Sequence, residues 1–429
     1  MFLWLYRILF IPVLIVIGPG YLRRMRHRGG YRSDFSHRFG AHPLLPRKPG
    51  RTLVWLQAVS VGEMLAIGPI LEVLRHDGVD VYLTTTTSTG YRLAHDRYRE
   101  LTVGIGYFPI DWWLFSARTW QRLAPDLVIL TEGERWPEHL RQAAKRKVPV
   151  LCVNARLSDR SFTRLRKLGP AARLMVEGVT LYLPASPEDG ARFAALGVPR
   201  ERIVPTGNIK LDVQIPRLSD LERAELRRAV GLPATGLVLL GSSTWAGEEE
   251  ALLRALENAR HRGLTVSLLL VPRHAERRGE IERVLVAAGL RYHFRSRGVA
   301  PGEVDVAVAD TTGELRRLTQ LADLVFVGKS LTPHTDGQTP VEAAALEKPI
   351  LFGPGMANFR VIANDLLARG AAQEVGDAAA LVAVSEGLLR DADARQVLAV
   401  AAAAWREENA GAVDRTLAVI RTEIARLRG

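Results

Sequence analysis

The sequence predicts an α/β protein with two mainly parallel sheets, one in each half of the chain. Three observations carry this. At 429 residues the chain is longer than one hydrophobic core usually serves, so two domains are expected. From residue 53 to about 205, short apolar runs alternate with amphipathic stretches of helical period, and the alternation restarts at 237 and continues to 352. A strand–helix–strand rhythm needs crossover connections, and crossovers join parallel strands.

The chain opens on an apolar stretch, residues 2–17, interrupted by Arg7 and Pro12 and followed by Arg23, Arg24, Arg26 and Arg28. About 17 residues is the lower limit for a helix that crosses a bilayer, and the alternative is a helix lying in the interface. No small-residue cleavage site of a signal peptide follows it. The arginines hold the rest of the chain on the cytoplasmic side by the positive-inside rule. Residues 1–28 are therefore read as a membrane anchor with its basic flank, and a chain starting near Arg47 is expected to fold without it.

The first domain is assigned to 29–205, with strands at 53–56, 79–84, 127–130, 148–153, 180–183 and 202–204. A linker at 206–220 is marked by Gly207, Pro216 and few apolar runs. The second domain, 221–429, has strands at 237–240, 266–271, 304–308, 324–327 and 349–352, and alanine-rich helices at 397–407 and 413–428 close it. Two domains on one linker leave a cleft between them, where ligand sites are usual.

Composition narrows the function. At 47% hydrophobic and 24% charged residues, both domains can bury ordinary cores. The single cysteine, Cys152, excludes a disulfide framework and reads as a buried strand residue. The net charge of +12 implies an acidic partner: nucleic acid, anionic lipid or a phosphorylated substrate. Arginines beside the apolar segment favour a membrane surface. No nucleic-acid module or basic–aromatic stripe appears, so no nucleic acid partner is expected. The histidines lack metal-ligand spacing, and the one Asp-x-Asp, at Asp391 and Asp393, falls among the closing helices, so neither a metal nor another cofactor is expected.

Several turns at strand ends can carry chemistry. Ser60-Val61-Gly62-Glu63 follows the first strand, which makes Glu63 a candidate general base at the carboxyl edge of a sheet. The same spacing fits a capping box, with Ser60 as N-cap. Thr131-Glu132-Gly133-Glu134-Arg135-Trp136-Pro137 offers two carboxylates, of which strand alternation would turn only one toward a ligand. Lys210 lies in the linker, as a solvated lysine or a ligand contact. The small residues from Gly241 to Thr244 suit close approach of an anion. Arg273 suits bidentate contact with a phosphate, or a surface salt bridge. Thr311 with Glu314, and Thr339 with Glu342 behind Pro340, are capping boxes or ligand-facing helix starts.

In order along the chain, seven motifs resemble those of the 3-deoxy-D-manno-octulosonic acid (Kdo) transferases of lipopolysaccharide synthesis. They are Val59-Ser-Val-Gly-Glu63, Thr131-Glu-Gly-Glu-Arg-Trp-Pro137, Asn154-Ala-Arg-Leu-Ser158, Gly207-Asn-Ile-Lys-Leu-Asp212, Val271-Pro-Arg-His274, Thr311-Thr-Gly-Glu-Leu315 and Phe352-Gly-Pro354. The resemblance implies a GT-B fold, two Rossmann-like domains around a cleft, with a membrane-anchoring N-terminus. It implies an inverting glycosyltransferase that moves Kdo from CMP-Kdo to a lipid A precursor at the cytoplasmic face of the inner membrane. By that resemblance Glu63 is the base, and Glu132 and Lys210 assist the transition state. CMP contacts fall to Pro272, Arg273, Thr312, Gly313, Glu314, Thr339, Pro340, Val341 and Glu342.

Departures from the family pattern cluster in the second half. The family usually has Gly-Gly-His-Asn where Asp336-Gly337-Gln338-Thr339 stands, Ser-Thr-His at Ser243-Thr244-Trp245, and Gly-Gly-Ser at Gly328-Lys329-Ser330. A histidine is usual where Gln57 stands. Two rivals follow: a divergent transferase using another nucleotide sugar or lipid acceptor, and an inactive membrane-attached binding module.

Overall fold

The computed structural model describes residues 2–27 and 33–428. The chain forms two compact units, one of Met1–Asp212 with Gly411–Gly429, the other of Val213–Ala410.

The first unit is built on six parallel strands, β1 (Leu53–Gln57), β2 (Asp80–Thr85), β3 (Gly104–Tyr107), β4 (Leu127–Thr131), β5 (Val150–Ala155) and β6 (Leu181–Pro184). Their order is β3-β2-β1-β4-β5-β6. β1, β2, β4 and β5 are buried throughout, as expected of a sheet covered on both faces. Successive strand residues point to opposite faces: Val54, Leu56, Val81 and Leu83 enter one core, and Leu53, Trp55 and Tyr82 the other. Cys152 lies buried in the second of these.

Two sequence expectations are corrected here. Residues 202–204 form no strand; a 3-10 turn at Arg200–Arg202 leaves a single bridge from Ile203 to Tyr182. β3 was not anticipated because glycines mask it. Gly104 and Gly106 lie so close to Tyr82 that a Cβ on either would meet its ring or hydroxyl at 2.7 or 2.6 Å.

The closing helix Ala412–Arg428 also differs from expectation, since it belongs to the first unit and not to the second. Its stripe Val413, Leu417, Ile420 and Ile424 covers the Val54–Leu83 core. Asp212 anchors its start by accepting the N–H groups of Gly411 at 3.1 Å and Val413 at 2.7 Å.

The N-terminal helix, Phe2–His27, is longer than the apolar stretch suggested and continues through Pro12 and Pro19. Its segment Phe2–Tyr21 is long and apolar enough to cross a membrane and is not buried in the protein. Polar groups fix one side of it to the first unit. The Tyr6 hydroxyl donates to Asp111 at 2.7 Å, Arg7 to Glu138 at 2.5 Å, and the Tyr21 hydroxyl to the Thr86 carbonyl at 2.9 Å. Arg28, and the side chains of Arg24 and Arg26, lie outside the described residues. A chain starting near Arg47 would lose two sets of contacts. The fully buried Glu138 side chain would lose its guanidinium, and removing one partner of a buried pair costs roughly 3–5 kcal/mol. His37 and His42, buried and stacked beside Tyr82, would also go.

The second unit has seven parallel strands, β7 (Leu237–Thr244), β8 (Val266–Pro272), β9 (Tyr292–Phe294), β10 (Val306–Val308), β11 (Leu324–Val327), β12 (Ile350–Phe352) and β13 (Ala372–Glu374), in the order β13-β12-β11-β7-β8-β10-β9. The sequence reading missed β9 and β13, the two edge strands. It also stopped β7 at residue 240, whereas the strand runs through Gly241 to Thr244. In each sheet the chain reverses its direction of travel once: between β1 and β4, and between β7 and β11. Ligands of open α/β sheets bind beyond the carboxyl ends of the strands at such a switch point.

Candidate active site

Glu63 follows β1 and Glu132 follows β4, so the two carboxylates flank the switch point of the first sheet. Ser60 and Glu63 close a capping box at the start of the helix Val61–Ala66. The Glu63 carboxylate is buried, 7% exposed, and accepts four hydrogen bonds. Oε1 receives the Ser60 N–H at 3.3 Å and its hydroxyl at 2.7 Å; Oε2 receives the Val59 N–H at 3.1 Å and the Thr131 hydroxyl at 2.6 Å. A carboxylate offers about four lone-pair positions, so these are filled. The capping box is thus complete, and it stands at the carboxyl edge of the sheet.

The Lys210 ammonium pairs with Glu132 at 2.5 Å, both groups being about a quarter exposed. It lies next to the Glu63 turn, because a Cβ on Gly62 would stand 3.9 Å from Lys210 Nζ. Asn154 completes the cluster. Its amide donates to Glu132 at 3.3 Å, and its carbonyl oxygen accepts the Ile209 N–H at 3.1 Å, which fixes the segment carrying Lys210. Glu132 and Asn154 both sit at positive φ, 51° and 53°, a conformation that non-glycine residues rarely adopt and that clusters at functional sites.

Thr131 and Asn154 were not singled out from the sequence as site residues, although each opens one of the motifs quoted above. The expectation for Glu132 and Glu134 also changes. Strand alternation would not separate them, since residues two apart share a face; here the chain leaves β4 in a turn, with the Arg135 N–H on the Gly133 carbonyl at 2.8 Å. Glu134 bonds Trp136 at 2.9 Å, and burial, reinforced by the charge on Glu63, raises its carboxyl above the ordinary range. A cavity of about 340 Å³ opens at the opposite, amino edge of this sheet, lined by Arg47, Arg51, Asp80 and Arg99 among others. It lies at the wrong strand ends to serve Glu63.

In the second unit the sequence-named residues lie around the carboxyl edge. Pro272 ends β8 and Arg273 follows it; Thr312, Gly313 and Glu314 follow β10; Thr339 to Glu342 lead into the helix Val341–Ala345, between β11 and β12. Arg273 is exposed, with no side-chain partner among the described residues. The salt bridge that was its alternative is made by Arg277 instead, to Glu249 at 2.7 Å and Glu280 at 2.9 Å. Gly313 has φ 90° with open space around its Cβ position, so glycine is needed there for backbone conformation. Neither threonine forms a capping box. The Thr311 hydroxyl bonds the Glu314 carboxylate directly, and Thr339 Oγ1 accepts the Val341 N–H at 3.2 Å. Burial raises the Glu342 carboxyl, and its Oε2 is buried without a partner among the described residues. Among the described residues no group of three or more His, Cys, Asp or Glu side chains is placed to hold a metal ion.

Known proteins match both the sequence and the fold. The model of a family described as 3-deoxy-D-manno-octulosonic-acid transferase (kdotransferase) matches residues 33–213. A 3-deoxy-D-manno-octulosonic acid transferase of Bordetella pertussis is 35% identical over 406 residues, covering 92% of this chain and 93% of that protein. The Haemophilus influenzae protein of the same name is 31% identical, covering 97% and 95%. In fold, the chain is similar to Anabaena HepE in complex with UDP, with a TM-score of 0.53 at 16% identity over 87% of this chain and all of that one.

Proposed function

The chain belongs to the 3-deoxy-D-manno-octulosonic acid (Kdo) transferase family and is a glycosyltransferase of GT-B fold; we propose that it transfers Kdo from CMP-Kdo to a lipid A precursor. The observation that carries this reading is the convergence of Glu63, Glu132 and Lys210 at the β1–β4 switch point.

In the proposed reaction the acceptor hydroxyl attacks the anomeric carbon of Kdo. The bond from that carbon to CMP breaks, CMP leaves with the electron pair, and Glu63 takes the proton of the attacking hydroxyl. Since the Glu63 lone pairs are filled, one donor must yield to the acceptor. Two of the four are hydroxyls, which rotate, and Thr131 has the Gln57 carbonyl at 3.0 Å as an alternative acceptor. Lys210, held by Glu132, supplies positive charge close to the reacting atoms. Arg273 takes the CMP phosphate, Thr312, Gly313 and Glu314 contact the nucleotide with Pro272, and Thr339 to Glu342 receive it at a helix start. The free Oε2 of Glu342 accepts from a ribose hydroxyl.

The N-terminal helix anchors the enzyme to the cytoplasmic face of the inner membrane. Tyr6 and Tyr21 both bond the first unit, which supports a helix lying along the interface, with Trp4, Ile8 and Val16 exposed to lipid. The test is mass analysis of the lipid product after incubating purified protein with CMP-Kdo and lipid A precursor. A mass gain of whole Kdo residues is expected. Product from a different nucleotide sugar alone would establish a divergent transferase, and no product with no CMP binding an inactive membrane-attached module.

A further inference from the structure

The switch point of the second sheet carries a built cluster that the proposed CMP contacts do not use. Trp245 follows β7, and Lys329 lies two residues beyond β11, so they face each other across the β7–β11 boundary. The Lys329 ammonium stands 4.4 Å from the centroid of the Trp245 ring and donates to Asp336 at 2.7 Å. Its backbone has φ 57°, in the left-handed region where glycine is the ordinary occupant. A lysine placed there against that preference is aimed by its loop.

Glu248, 1% exposed, fixes this loop. Its Oε2 accepts the N–H groups of Trp245 at 2.9 Å and Lys329 at 2.8 Å, and its Oε1 those of Ser330 at 2.9 Å and Leu331 at 3.1 Å. One carboxylate thus ties together both sides of the switch point. Gly328 lets the loop close on the β7 end, since a Cβ there would meet the Ser243 carbonyl oxygen at 2.6 Å. The Gly337 N–H bonds the Lys329 carbonyl at 2.8 Å and brings Asp336 back to the ammonium.

The geometry points to Lys329, Trp245 and Asp336 as the subsite for the transferred sugar acid, with Lys329 taking its carboxylate and Asp336 its hydroxyls. An ammonium has three donors and Asp336 uses one, leaving the others for an anionic group. Asp336, about half exposed, is an acceptor for sugar hydroxyls. A cation beside a carboxylate suits a polyhydroxylated acid better than a neutral hexose, which has no group for the ammonium. The inference rests on the proposed donor and assigns the part of it that CMP lacks.

The full-length protein in detergent tests it through a split between donor and nucleotide. Lys329→Gly removes the ammonium and suits the left-handed backbone, and Lys329→Met keeps an apolar chain over Trp245. For both, the KM for CMP-Kdo should rise about tenfold to hundredfold, the loss of one charge-assisted hydrogen bond. CMP affinity by calorimetry should stay at the parent value. An unchanged KM in both variants overturns the subsite. An equal weakening of CMP moves Lys329 to the phosphate and overturns the assignment to the sugar. A parent protein that neither binds CMP nor turns over CMP-Kdo brings down the proposed function itself, and the subsite with it.

Discussion

Glu63 in the first unit and Glu248 in the second stand at matching places, each in the first turn of the helix that follows the first strand of its sheet, and each accepts four hydrogen bonds. The donors differ. Glu248 receives four backbone N–H groups, which are fixed by the chain and cannot withdraw. Glu63 receives two backbone N–H groups and two hydroxyls, from Ser60 and Thr131. Hydroxyl hydrogens rotate and backbone N–H groups do not, so Glu63 can exchange donors that Glu248 cannot. The surroundings follow the same division. Beside Glu63, Glu132 and Lys210 are bonded to each other, a fixed geometry that suits the part proposed for them in the reaction. In the second unit Arg273 is exposed and one oxygen of Glu342 is buried without a partner among the described residues, which the proposed CMP contacts would use.

The comparison breaks most readily at Glu63. Glu63→Gln should keep the fold, because glutamine also completes a capping box, at a cost of about 1–3 kcal/mol for the Val59 N–H that then faces an amide donor. Turnover should fall by about 10² to 10⁴, the usual cost of losing a general base. Near-parent turnover, measured as lipid product per folded enzyme, would reduce Glu63 to a cap and make it the equal of Glu248. Next in size are Lys210→Ala and Glu132→Gln, each expected to lower turnover by about 10² to 10³. The double variant should be no worse than the poorer single one, since the two act as a unit; multiplying losses would show independent roles.

Glu248→Gln sharpens the contrast from the other side. Its amide would turn donors toward backbone N–H groups, leaving buried groups unpaired at about 1–3 kcal/mol each. Thermal melting should register that loss, and an unchanged melting temperature would show that the loops hold themselves. Arg273→Lys should weaken CMP binding about tenfold to hundredfold by calorimetry, because one ammonium cannot reproduce a bidentate fork. Its melting temperature should stay put, since no protein partner is lost; a clear drop would place Arg273 among the structural ion pairs with Arg277. The smallest effect belongs to Ser60→Ala, which removes the N-cap of the helix Val61–Ala66 at about 1 kcal/mol of stability. A loss far above that in a melting experiment would mean the hydroxyl bonded to Glu63 does more than cap.

The sequence alone determined the central strands of both sheets, because each is an apolar run bounded by turn residues and buried on two faces. It also determined the Ser60–Glu63 capping box, whose four residues lie within one turn of chain. The motifs placed Glu63, Glu132 and Lys210 on one list, but 68 residues separate Glu63 from Thr131, and 55 separate Asn154 from Ile209; only the packed sheet brings such groups within bonding distance. Tertiary structure likewise decided the short edge strands, β3 above all, where Gly104 and Gly106 make room for Tyr82. It overrode the threonine caps, since the helices Leu315–Leu318 and Val341–Ala345 are brief and Thr311 finds the Glu314 carboxylate directly. And it assigned the helix Ala412–Arg428 to the first unit. The stripe Val413, Leu417, Ile420 and Ile424 announces that one face is buried, but periodicity along a chain carries no information about which distant surface will cover it.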